Sequence, residues 1–268
     1  PPAGVPVLFC TGAAMSGWLG FGNDCLADLD LRLMAIDRPG LGRSSPHPHK
    51  TPASWVDDVR ELLQFNALSE ILVVGFSQGA PFAFALAGSG LVRAAAIVSG
   101  QDQLDHPQIR PRLHPDVAGM LTALQQDPAG FEQQMAGMIT LEGLWSLVIG
   151  MSGERDRALY ESAAFRAAYR RALEQGFAQG TEGYARDLVN ALGAWPTAPE
   201  AIRIPVDLWY GLEDTSTVHS PDFGATLAAR LPQVTHTTLA GEGGSILWTQ
   251  SRAILERLVA HRRPRSDL

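Results

Sequence analysis

Two cysteines in 268 residues, Cys10 and Cys25, are too few for a disulfide framework. Cys10 falls inside an apolar run and reads as a small buried hydrophobe; Cys25 is expected in a helix. A reduced, cytoplasmic setting fits both. Basic charge is also short: a net charge of −7 argues against nucleic-acid binding, which needs a basic footprint. The one basic stretch, His261-Arg262-Arg263-Pro264-Arg265, is a terminus expected to be solvated. No apolar run approaches the roughly 20 residues of a membrane span, and no signal-type pattern opens the chain. The chain starts at Pro1, so its natural start, with strands ahead of the first one seen here, is expected to be missing. Metal-ligand spacings, phosphate-cradling glycine loops and nucleotide fingerprints are absent too; Gly40-Leu41-Gly42-Arg43 is too short for the last.

What is present is an ordinary soluble composition, 46% hydrophobic and 18% charged, long enough for one large core or two modest ones. Short β-rich runs alternate with helical patterns. Val5–Cys10, Leu31–Ile36, Ile71–Gly75, Ala94–Ser99, Val206–Tyr210 and Val234–Leu239 read as strands, most of them continuously apolar, as strands covered on both faces are. Trp55, Val59, Leu62 and Leu63 share a helical face behind Thr51-Pro52. Phe223, Leu227 and Leu231 do so after Ser220-Pro221, and Leu247, Ile254, Leu255 and Leu258 near the end. Alternation of this kind predicts right-handed crossovers and a mostly parallel, doubly wound α/β sheet. From about Gln101 to Glu200 there are only helical signals. Val117, Met120, Leu121 and Leu124 form one face, Phe131, Met135 and Met138/Ile139 follow Asp127-Pro128, and Phe165, Tyr169, Leu173 and Phe177 form a third. Residues 101–200 are therefore expected to be a helical cap inserted into a core made of 1–100 and 201–268.

The chemistry-bearing motif is Gly75-Phe76-Ser77-Gln78-Gly79. It follows the run Ile71–Val74 and precedes an alanine-rich helical stretch, so a serine stands at the apex of a strand, a sharp turn and a helix. This is the context in which Gly-x-Ser-x-Gly marks a nucleophile elbow. A serine hydroxyl is a weak nucleophile at neutral pH and needs an adjacent base.

The order of motifs resembles the capped branch of the α/β-hydrolase superfamily over nearly the whole chain. The matching segments are Thr11-Gly12, the run Asp37-Arg38-Pro39-Gly40-Leu41-Gly42-Arg43-Ser44, the elbow, Gln179 to Asp187, Gly211-Leu212-Glu213-Asp214, and Gly241-Glu242-Gly243-Gly244-Ser245. The resemblance implies that Ser77 is the nucleophile and Asp214 the triad acid, with Asp102 as the fallback. The backbone amides of Ala13 and Gln78 would form the oxyanion hole. Many relatives have histidine at the position of Thr11. The resemblance also implies a histidine at position 244, where this chain has glycine, which can neither accept nor donate the proton.

Three accounts of Gly244 stand open: a replaced natural histidine, divergence to a weakly catalytic or ligand-binding role, or a base supplied by another residue. His219, five residues past Asp214, is the best-placed substitute. His106 and His114, near the cap entrance, are weaker; His236 begins a strand and should lie at the opposite edge; His47 and His49 sit in a loop of proline and serine. Glu242 is near but accepts protons poorly at neutral pH. Trp145, Phe131, Met135, Met138, Phe165 and Tyr169 of the cap are candidate lining for an apolar acyl or aryl pocket, although each by itself reads more readily as helix-packing core.

The leading expectation is a cofactor-free, metal-free serine hydrolase scaffold for small apolar esters, lactones or related acyl compounds. The alternative is an impaired hydrolase-like protein that binds a small apolar ligand. Cofactor-free oxidation or halide-dependent perhydrolysis ranks third. The partners expected are a small molecule and, among macromolecules, at most a second copy of the chain in a homodimer.

Overall fold

The structure is a computed structural model that describes residues 4–261; the basic tail from Arg262 onward lies outside the described residues. Six strands, β1 (Val5–Cys10), β2 (Leu31–Ala35), β3 (Ile71–Phe76), β4 (Val92–Val98), β5 (Val206–Gly211) and β6 (Val234–Leu239), form one sheet in the order β2-β1-β3-β4-β5-β6. Every pairing is parallel. The six expected strands all form, with ends shifted by a residue or two.

The helices are α1 (Pro52–Phe65), α2 (Ala80–Gly88), α3 (Pro115–Gln126), α4 (Pro128–Met138), α5 (Leu141–Gly150) and α6 (Glu154–Tyr160). They continue with α7 (Ala163–Gly176), α8 (Glu182–Leu192), α9 (Ala225–Arg230), α10 (Ile246–Thr249) and α11 (Ser251–Ala260). Alternate residues of each buried strand face opposite layers. Val7 and Phe9 of β1 join Ile254, Leu255 and Leu258 of α11 on one side. Leu8 and Cys10 join Trp55 of α1, Phe82 of α2 and Leu227 of α9 on the other. Two covered faces are what a continuously apolar parallel strand requires.

Local signals account for several boundaries. Thr51 caps α1 by accepting from the Ser54 amide at 3.1 Å, while the Ser54 hydroxyl accepts from the Thr51 amide at 2.9 Å. Pro52 at the first turn loses nothing, because that amide has no partner in a helix. Six helices, α3 to α8, run between β4 and β5. Three of them, α5, α6 and α8, went unread in the sequence: α6 is under two turns long, and α5 and α8 turn apolar residues both to their neighbours and to a cavity, which blurs the 3.6-residue period.

Three expectations need correction. Cys25 lies in a run of turns rather than a helix, with its amide bonded to Gly22 O at 2.9 Å. The helix expected after Ser220-Pro221 starts only at Ala225, because Phe223 and Gly224 have φ of +55° and +82°. The last helical face is split at Gln250 into α10 and α11.

Crossovers from β1 lead to β2 on one side and, after β2, to β3 on the other. Loops leaving β1 and β3 therefore part at their carboxyl ends and open a crevice, the place where such sheets bind ligands.

Candidate active site

Ser77 opens a single 3₁₀ turn, Ser77–Gly79, between β3 and α2. Its φ of +51° lies in the left-handed region that non-glycine residues seldom occupy. The neighbouring glycines are dictated by contact: a Cβ on Gly75 would stand 2.6 Å from the Ala83 Cβ, and one on Gly79 2.0 Å from the Cys10 carbonyl oxygen. The serine is thus presented at the apex of a turn too tight for any larger flanking residue.

Asp214 lies in the loop after β5. Its Oδ2 is 2.7 Å from Nδ1 of His219, and Nε2 of the same ring is 2.8 Å from Ser77 Oγ. An ionised carboxylate only accepts, so the ring proton belongs on Nδ1 and Nε2 is free to accept from the serine hydroxyl. Both side chains are buried. The other carboxylate oxygen of Asp214 accepts from the Ser216 amide at 3.0 Å, and the Phe76 ring stands edge-on to the imidazole.

Gly244 brings no base, yet Ser77 does have an imidazole partner: the expected vacancy is filled from the loop that carries the acid. Gly244 itself lies against the far side of the carboxylate, where an added Cβ would be 3.0 Å from Asp214 Oδ1. Its amide and that of Ser245 donate to buried Asp156 of α6 at 2.8 and 2.9 Å.

Ala13 and Gln78 border the same cavity as Ser77. The loop from Thr11 to Ala13 is held by Arg38, a fully buried guanidinium that donates to the carbonyls of Thr11 and Gly12 at 2.8 and 3.1 Å. Arg38 Nε donates to Asp187 of α8 at 2.7 Å, and Lys50 Nζ meets the other oxygen of Asp187 at 2.7 Å. Burial depresses the Lys50 pKa, against the pull of Asp187. Thr11 donates its hydroxyl to Met15 O at 2.8 Å.

Asp102 does not touch His219. It accepts from the Ser220 hydroxyl and the Gln103 amide, each at 2.7 Å, and burial raises its pKa to about 6. Glu242 is engaged by Arg155, Thr249 and Gln250. His114 caps α3, His106 accepts from the Gln108 amide, His236 bonds the Phe223 carbonyl from within β6, and His47 and His49 are exposed. None of these borders the cavity.

The cavity over Ser77 is walled mainly by apolar side chains of the helices between β4 and β5, among them Leu144, Val148, Met151, Leu188 and Leu192. Of the cap residues proposed from sequence, Tyr169 lines it. Trp145 and Phe165 pack behind Tyr169, Phe131 belongs to a separate cluster, Met135 packs against that cluster, and Met138 is exposed. Tyr160, Tyr169 and Tyr184 border the cavity, and burial raises the pKa of each, so their hydroxyls stay protonated. Tyr160 and Tyr184 were not anticipated as lining, although Tyr184 lies within the matched segment Gln179 to Asp187.

A family model described as alpha/beta hydrolase fold matches residues 5–250. The chain belongs to the α/β-hydrolase family. Several solved α/β-hydrolase relatives share its fold at low identity. An esterase from Exiguobacterium antarcticum is 13% identical with a TM-score of 0.68, covering 97% of this chain and 92% of that one. An enol-lactonase from Burkholderia xenovorans LB400 is 17% identical with a TM-score of 0.69, covering 96% and 91%. A bromoperoxidase from Bacillus anthracis is 19% identical with a TM-score of 0.68, over the same shares. No curated protein matches the chain. Among the described residues of this α/β-hydrolase, no helix is long and apolar enough to cross a membrane.

Proposed function

We propose that the protein is a serine hydrolase of small, largely apolar esters or lactones. The carrying observation is the continuous chain Asp214–His219–Ser77, with contacts of 2.7 and 2.8 Å. Ser77 Oγ attacks the substrate carbonyl while its proton passes to His219 Nε2. Asp214 holds the ring in the tautomer that can accept and stabilises the imidazolium that forms. The amides of Ala13 and Gln78 receive the developing oxyanion, and such fixed donors supply a large part of catalysis. His219 then returns the proton to the leaving oxygen, and water, deprotonated by the same nitrogen, releases the acid.

The apolar wall supports an acyl or alkyl group rather than a charged one, since few polar groups there would repay desolvation. Residues 101–200 act as the cap over this pocket. The buried free thiols, with Cys10 pushed up to about 12 by burial, accord with a reducing, cytoplasmic setting. The ligand-binding alternative drew its support from Gly244, and His219 supplies what Gly244 lacks.

Labelling with a fluorophosphonate tests the reading. One adduct is expected on Ser77 in the unaltered protein, none in Ser77→Ala, and labelling slowed by at least about a thousandfold in His219→Ala. No adduct on the unaltered protein would return the ligand-binding role to first place.

A further inference from the structure

One buried cluster beside Ser77 and His219 has no part in the proton path. We infer that Asp102 and Ser220 form a latch that holds the His219 imidazole on Ser77, a positioning role whose catalytic consequence rests on the hydrolase reading.

His219 and Asp214 share one loop, so their mutual hydrogen bond cannot by itself fix the ring relative to a serine on another strand. Something outside the loop must do so. Toward the helices between β4 and β5, the loop is tied by the Thr215 hydroxyl to Met151 O at 2.7 Å. Toward the sheet, the ties converge on the residue after the histidine. The Ser220 amide donates to Gly100 O at 3.0 Å, its hydroxyl donates to Asp102 Oδ2 at 2.7 Å, and Ser220 Oγ accepts from the Gly224 amide at 2.9 Å.

The receiving segment also holds the nucleophile. The Gln101 amide donates to the Ser77 carbonyl at 3.0 Å, and the Tyr210 hydroxyl donates to Gly100 O at 3.2 Å. Residues 100–102 therefore form a common frame for Ser77 and His219. Asp102 is fully buried, and its hydrogen-bond donors are Ser220 and Gln103. A carboxylate accepting from a hydroxyl makes a stronger bond than a neutral acceptor would. Asp222 offers Ser220 a competing acceptor at 3.0 Å, but the hydroxyl carries one proton, and the shorter contact is to Asp102.

Ring position matters because reacting groups must sit within a few tenths of an ångström of the attack geometry; a 1 Å error costs about a hundredfold in rate. Ser220→Ala removes the donor. Asp102→Asn leaves one acceptor where there were two, so the Ser220 hydroxyl and the Gln103 amide can no longer both donate to residue 102.

The test is a double-mutant cycle with ester hydrolysis and proton NMR as its readouts. Each single variant is expected to lower kcat about tenfold with KM within about twofold, and the double variant to be no worse than either. Ser220→Thr, which keeps the hydroxyl, is expected to restore most of the rate. The downfield Nδ1 proton of His219, assigned by its loss in His219→Ala, should be sharp in the unaltered protein and broadened by exchange in Ser220→Ala and Asp102→Asn. Undiminished kcat in both singles, losses that multiply in the double, or a resonance missing from the unaltered protein or unchanged in all variants would overturn the latch. A protein that neither labels nor hydrolyses any ester would sink the hydrolase reading instead, and the His219 resonance would then decide the latch alone.

Discussion

The backbone of Gly244 faces the carboxylate of Asp214 at a distance that is tight for any side chain: a Cβ there would meet Oδ1 at 3.0 Å, Cγ at 3.2 Å and Oδ2 at 3.3 Å. The same carboxylate is committed to His219 through Oδ2. The glycine is thus matched to an acid whose imidazole comes from its own loop. Any residue at 244 has to push Asp214 by a few tenths of an ångström, away from the position that orients His219.

Placing a histidine at position 244 should accordingly fail to help. Gly244→Ala is expected to lower kcat by up to about tenfold, through displacement of Asp214. Gly244→His adds a second imidazole competing for one carboxylate and is expected to fall below the unaltered protein. Steady-state ester hydrolysis and the fluorophosphonate labelling rate measure both; a Gly244→His variant faster than the parent would show that position 244 remains the natural home of the base.

The triad itself predicts a non-additive pattern. Asp214→Asn should cost about ten-thousandfold in kcat, since the ring then loses its fixed tautomer. His219→Ala should cost at least as much, and Ser77→Ala combined with His219→Ala should be no slower than Ser77→Ala alone. Losses below about tenfold for His219→Ala would mean that another group accepts the serine proton.

How much of this was legible beforehand differs by element. The sheet was readable because its strands are apolar on both faces and bounded by turns, and the Ser77 elbow because its glycines are dictated by contacts within eight residues or with the adjoining strand. Asp214 and Ala13 could be placed from motif order. The partner of Ser77 could not be chosen from spacing alone, because whether His219 points at the serine or at solvent depends on the 220–224 turn. That turn is built from the positive φ of Phe223 and Gly224 and from the bond between Ser220 and Asp102, a contact across 118 positions. The pocket walls were obscure for the reason that hid α5 and α8: cavity-facing and core-facing apolar residues look alike in sequence.

The buried triad Arg38–Asp187–Lys50 predicts a coupled loss of stability and rate. Arg38→Ala strands the carbonyls of Thr11 and Gly12 and leaves Asp187 with one cation. Breaking a buried pair in this way costs about 3–5 kcal/mol, to be read from urea unfolding. Because the same guanidinium shapes the loop bearing Ala13, kcat should fall in any fraction that remains folded. A Met side chain at 38 should recover part of the stability through packing but none of the rate, since it donates to neither carbonyl.

Asp102 predicts a different combination, a stability difference that grows with pH alongside a loss of rate, and the sign follows from its titration. Burial lifts its carboxyl from 3.8 to about 6 in the folded chain. The native state therefore holds a proton that the unfolded chain releases between about pH 4 and 6, so this group's contribution to stability is most favourable at low pH and declines as pH rises through that window. From 3.8 to about 6 the difference amounts to about 3 kcal/mol. Asp102→Asn cannot titrate, so it escapes that decline: relative to the parent it should gain about 2 kcal/mol in unfolding free energy between pH 4 and pH 7. Urea unfolding of both proteins at several pH values across that range measures the gain. A difference that stays flat with pH would mean that Asp102 is ionised with little burial cost. A rising difference together with the tenfold loss of kcat would identify a carboxylate retained at the expense of stability because its charge holds Ser220, and through it His219, in place.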